Sequence, residues 1–161
     1  MQLVLSLVIV ISCTYIGVGI GKYYKERYKF FLDMYNFSSY LQTNLSFRQD
    51  ALNEVVDNFI KENKIQNQSK KFLNDFQKNL KQNQNFDATR DNIDEDEKFM
   101  LNNLFNSLGK TDSDTQNETI EHFKQQLNNK VNEAKKEMTK FVGMSGKLGL
   151  IFGLIIVICL I

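Results

Sequence analysis

A chain of 161 residues with 20 Lys and Arg against 19 Asp and Glu carries a formal net charge of +1, whereas nucleic-acid binders are distinctly basic. The chain has no Pro and no Trp, and the lack of Pro suits long uninterrupted helices, because Pro costs about 3 kcal/mol inside one. With a single histidine, His122, and no phosphate loop, nucleophile elbow, Cys-x-x-Cys pair or dinucleotide fingerprint, the composition points away from an enzyme and asks for no cofactor and no metal.

The first segment, Met1 to Gly21, contains no charged residue. Such a run has about the length an α-helix needs to cross a hydrocarbon core of roughly 30 Å. A cleaved secretory signal would place positive charge before the run; here Lys22, Lys25, Arg27 and Lys29 follow it. The order predicts an uncleaved transmembrane helix over 1–21 with its N-terminus outside. Gly17 and Gly21 stand four apart, a spacing that lets helix backbones approach closely in lipid. Gly is also common in membrane helices, so the spacing has a plainer reading as well.

The span is expected to continue into a helical stem. Phe31, Met34, Ser38, Leu41 and Leu45 recur in steps of three and four, which places them on one helix face. Ser46 to Asp50 reads as a corner. A short amphipathic helix follows, with Leu52, Val55, Val56, Phe59 and Ile60 on one side. Lys61 to Ser69 is polar and predicts a loop, with Ser69 as the N-cap of the next helix. That helix carries Phe72, Leu73, Phe76 and Leu80, and 82–91 shows little periodicity.

The acidic run Asp94, Glu95, Asp96, Glu97 precedes Phe99, Met100, Leu101, Leu104, Phe105 and Leu108. Carboxylates in a first helical turn complement the helix dipole by about 0.3–1 kcal/mol each. Four in succession point around a helix instead of converging on one ion. Gly109 is expected to end this helix, Thr111 to Ser113 to turn, and Ser113 with Gln116 to form a capping box. Leu127, Val131, Ala134, Met138, Phe141, Ser145 and Leu148 then form a heptad-like seam. The terminal helix would measure roughly 70 Å, and its natural partner is the antiparallel N-terminal stem.

Lys130, Lys135, Lys136, Lys140 and Lys147 gather before the second apolar run, a predicted transmembrane helix over 141–161. Lys147 would snorkel to the headgroups on its long stem. Ser145, Gly149 and Gly153 repeat the four-residue spacing of small residues. Both runs thus have their basic flank facing the middle of the chain, and the positive-inside tendency places 22–140 in the cytoplasm. The chain stops at Ile161 within the second run, so no soluble domain is expected outside. Cys13 and Cys159 lie inside the apolar runs as small buried residues, with no disulfide. The expected class is all-α: a membrane-anchored helical bundle of about six helices, continuous with a transmembrane segment at each end.

Several residues carry a family likeness: Ile16-Gly17 near the end of the first run, Lys22-Tyr23-x-x-x-Arg27 at its exit, and Leu108-Gly109-x-x-Asp112-x-x-x-Gln116. The long helix then leads to Leu148-Gly149 and an Ile/Val/Leu tail. Over nearly its whole length the chain resembles stage III sporulation protein AB of endospore-forming bacteria; from Phe47 to Asn92 the likeness is one of helical pattern alone. The resemblance implies a place in the channel complex between mother cell and forespore, on the mother-cell side of the outer forespore membrane. The family is similar to the inner-membrane platform protein of type II secretion and type IV pilus systems. By that analogy the cytoplasmic body docks other channel subunits, including a secretion-type ATPase.

Leu108, Gly109, Asp112 and Gln116 then form a tight helix–helix corner, with Gly109 supplying the backbone conformation and Asp112 capping the next helix. The alternative is that Asp112 and Gln116 face a partner. Two readings from other classes stay open beside this one: a small holin-like membrane protein, and a membrane-tethered helical adaptor outside sporulation. Assembly into a homo-oligomer through the glycine-bearing spans is open as well.

Overall fold

The computed structural model describes residues 2–44, 49–88, 93–108 and 113–160. Among them the regular structure is entirely α-helical: α1 Gln2–Thr43, α2 Gln49–Glu62, α3 Asn67–Lys81, α4 Glu95–Ser107 and α5 Ser113–Leu160. Five helices stand among the described residues, where about six are expected. The chain divides into two compact units. Met1–Tyr28 with Asn132–Ile161 is one, and Lys29–Val131 is the other.

The unit over Lys29–Val131 is a helical body closed on aromatic side chains. Phe31, Met34, Ser38 and Leu41 of α1 are all buried, as their spacing predicts, and Phe30 and Phe37 widen the same face. Leu45 lies outside the described residues, as does most of the predicted corner; Asp50 already belongs to α2. Phe59 of α2 meets Phe37 of the stem at 5.1 Å between ring centroids, and Phe72 of α3 meets Phe30 at 5.3 Å, while Leu52, Val56, Leu73 and Phe76 are buried beside them. Phe105 of α4 meets Phe76 at 4.7 Å and Phe72 at 5.2 Å between ring centroids, both edge-on. Such edge-to-face pairs contribute about 0.5–1.5 kcal/mol beyond area burial.

One expectation changes here, and one large apolar side chain faces outward. Ser69 is not a cap: α3 begins one turn earlier, with Gln66 in extended conformation at the N-cap position. The Gln66 backbone amide donates to Asp33 Oδ2 of α1 at 3.1 Å, so a tertiary carboxylate takes up one amide at the start of α3. Ser69 is instead fully buried inside α3, its hydroxyl without a hydrogen-bond partner among the described residues. Phe99 is 69 % exposed, because Leu101, Leu104, Phe105 and Leu108 occupy the inner face of α4. At two residues before Leu101, Phe99 falls on the opposite side of the helix.

The stretch after α3, which has no periodicity, is held by amide chemistry. Asn83 takes a left-handed φ of 51°, with Asn83 N–H bonded to Leu80 O at 3.2 Å and Gln84 N–H to Asn79 O at 3.0 Å. These two bonds close α3 as a Schellman motif with Asn in the usual glycine position. Phe86 and Ala88 then strap across α4. Asn106 Oδ1 accepts from Phe86 N–H at 2.7 Å and Asn106 Nδ2 donates to Phe86 O at 2.8 Å. One turn earlier, Asn102 Oδ1 accepts from Ala88 N–H at 2.6 Å. Each asparagine stands in for a neighbouring strand and satisfies buried backbone groups.

Candidate functional site

The structure describes the helix ends on either side of 109–112, and both ends of α4. Asp94 opens α4 with a capping box: its Oδ1 accepts from Glu97 N–H at 2.9 Å, and its own N–H donates to Glu97 Oε2 at 3.1 Å. Glu97 is fully buried, and its Oε1 lies 3.4 Å from Lys130 Nζ of α5. The acidic run therefore serves as a helix start and one tertiary ion pair. No cluster of three or more His, Cys, Asp or Glu that could hold a metal occurs among the described residues. Leu108 closes α4 in extended conformation and is buried. It also lines a cleft of about 240 Å³ with Phe76, Leu80, Phe86, Phe105 and Asn106.

Gly109 and Asp112 lie outside the described residues, and so does the side chain of Ser113, the predicted partner of Gln116 in a capping box. Gln116 itself is 2 % exposed, and its Nε2 has no hydrogen-bond partner among the described residues. It begins the inward face of α5 ahead of Ile120, Phe123, Leu127 and Val131, all buried. Across this face Gln42 of α1 donates to Glu121 Oε2 at 2.7 Å and accepts from Lys124 Nζ at 2.9 Å. At the end of the stem, burial and then the nearby Glu62 carboxylate raise the Tyr40 hydroxyl pKa above its ordinary value.

The second place is the contact of α1 with α5 inside the unit of Met1–Tyr28 and Asn132–Ile161. Here the structure brings Gly17, Gly21, Ser145, Gly149 and Gly153 together. A Cβ on Gly17 would meet the Ser145 carbonyl oxygen, and one on Gly149 would come within 2.6 Å of Cys13 O. At Gly153 the obstacle is Val10 Cα at 3.0 Å, and at Gly21 it is Ser145 Oγ at 3.0 Å. The backbones approach more closely than any side chain would permit. Tyr24 stacks on Phe141 with centroids 4.4 Å apart, and Arg27 Nε lies 3.6 Å from Glu137 Oε2. Neither pair is signalled by periodicity, because each forms between residues distant in sequence.

One position of the predicted seam departs from it. Leu148 is 44 % exposed, since the close approach is made by Ser145, Gly149 and Gly153, and a leucine one residue away points outward. Ile11, Ile16, Val18, Phe152, Leu154 and Ile155 also point away from the contact. A helix pair with small residues inside and large apolar residues outside suits hydrocarbon surroundings. The helices over Ser6–Thr43 and Thr115–Cys159 are long and apolar enough to cross a membrane, with only 11 % of each apolar window buried.

These features define a class: an all-α protein whose first and last helices are candidate membrane spans. Comparison with family models goes one step further. The model for stage III sporulation protein AB matches residues 2–161, and the chain belongs to that family. Comparison with curated proteins and with solved structures finds no match.

Proposed function

We propose that this protein is a non-enzymatic assembly component of the channel complex between mother cell and forespore. The observation that carries the reading is the family match over 2–161. A candidate span at each end, with basic residues on the side facing the middle, supports a two-pass arrangement with the body in the cytoplasm. In the sporangium that is the mother-cell side of the outer forespore membrane. The helical body then docks other channel subunits, a secretion-type ATPase among them, as the platform proteins of related secretion systems are expected to do.

Within this reading Leu108, Gly109, Asp112 and Gln116 act as a packing corner. The burial of Leu108 and Gln116 supports that role over direct partner contact. Gly17, Gly21, Ser145, Gly149 and Gly153 hold the two spans together in lipid.

The deciding experiment is deletion of the gene in the source organism, scored by mature spores, with capture of channel subunits by the tagged full chain. Loss of spores with retention of subunits on the tagged protein is the expected result. A deletion strain that still matures its spores removes the channel reading. Dye release from vesicles carrying the purified chain would instead favour a holin-like pore.

A further inference from the structure

The two-helix unit is electrostatically unlike the rest of the chain. It holds seven of the 20 Lys and Arg but three of the 19 Asp and Glu. The excess of cations is compensated in the body, where carboxylates predominate, so the near-neutral total conceals a charge separation between two parts of one molecule.

The surplus cations sit in one band. Lys22 and Lys25 follow the uncharged run of α1, and Lys135, Lys136 and Lys140 precede the apolar run of α5. The Tyr24–Phe141 stack and the Arg27–Glu137 pair bring these two stretches to the same level. Tyr23 lies there too, 40 % exposed, and tyrosine is enriched where a membrane helix leaves the hydrocarbon.

The band is only partly neutralised, because Glu26, Glu133 and Glu137 are the only carboxylates of this unit. Arg27 occupies Glu137, and Lys22, its side chain 75 % exposed, has only the i,i+4 contact to Glu26 at 3.7 Å. Lys25, Lys135 and Lys136 are exposed and make no ion pair among the described residues. Lys140 stands 5.5 Å from the centroid of the Phe141 ring. On α5 the cations share a shallow face with Asn132 and Thr139.

From this geometry we propose that Lys22, Lys25, Lys135, Lys136 and Lys140 form a docking surface for the headgroups of anionic phospholipids. The inference rests on the membrane-spanning reading. Like charges this close together repel one another, and a phosphodiester at the same depth relieves that repulsion. An acidic protein segment offers the same charge, but lipid phosphate is present at this level all around the helices. Flexible lysines at the headgroup layer attract anionic lipid strongly, and the attraction falls off within a Debye length.

The test uses the full chain reconstituted in phosphatidylcholine vesicles with trace spin-labelled phosphatidylglycerol or phosphatidylcholine, read as the motionally restricted fraction. The wild type should restrict the phosphatidylglycerol label in at least roughly threefold preference, which is less than one lysine at the headgroup layer can supply. Lys25→Gln, Lys135→Gln, Lys136→Gln and Lys140→Gln combined should bring the ratio to near unity. So should salt raised from about 0.1 M to 1 M, which shortens the screening length from about 10 Å to 3 Å.

Equal restriction of both labels by the wild type, or a preference that survives the four substitutions, overturns the proposal. If neither label is favoured but a polyglutamate peptide binds the wild type and not the quadruple variant, the partner is an acidic protein instead. Failure of the membrane reading would look different: alkaline carbonate would strip the chain from the vesicles. Failure of the lipid proposal leaves it firmly inserted.

Discussion

Glu97 shows how one side chain is committed twice. Its Oε2 closes the capping box with Asp94, while its Oε1 meets Lys130, and no water reaches either. Glu97→Ala removes the return bond of the cap and leaves Lys130 facing a cavity; the expected cost is about 2–4 kcal/mol, read as a lower denaturation midpoint. Gln116 presents the opposite case. A buried amide nitrogen without a partner is a standing penalty, and Gln116→Leu should keep stability within about 1 kcal/mol or raise it. If the substitution leaves melting intact but abolishes capture of the proposed channel subunits, the packing role assigned to the corner is wrong.

At the scale of elements, the strap over 84–88 depends on α4 side chains for its backbone hydrogen bonds. Asn106→Ala deprives Phe86 of both of its bonds, so about 1–3 kcal/mol should be lost. Amide hydrogen exchange at Phe86 should accelerate well before exchange in α4 does. The α1–α5 contact makes an internally controlled prediction. Gly17→Ala forces a Cβ against the Ser145 carbonyl, whereas Gly19 has nothing within 4 Å. Melting in detergent micelles should fall by about 1–3 kcal/mol equivalent for Gly17→Ala and stay within about 0.5 kcal/mol for Gly19→Ala. Equal effects at the two positions would mean that this contact does not form in solution.

For the whole molecule, the division at Tyr28 and Val131 has a consequence that expression can test. The buried apolar residues from Phe30 to Val131 are contributed within one continuous stretch, so residues 29–131 alone should yield a soluble helical domain with a cooperative melt. An aggregated or non-cooperative fragment would mean that the body needs its apolar ends to fold.

Much of this organisation is legible in the residues themselves. The apolar ends, the inner faces of α1 to α5 and the position of the small residues all follow from spacing, because helix period and hydrophobic burial act over a few neighbours. What spacing does not carry is any contact between distant residues. Asp33 takes up an amide at the start of α3, Asn102 and Asn106 supply backbone partners to a stretch with no period, and Leu148 turns outward because glycine makes the approach. The sequence by itself thus determined the helices, their buried sides and the two apolar ends. Only the tertiary structure decided which polar group satisfies which backbone, since a hydrogen bond depends on where two chain segments meet, not on the order in which they are written.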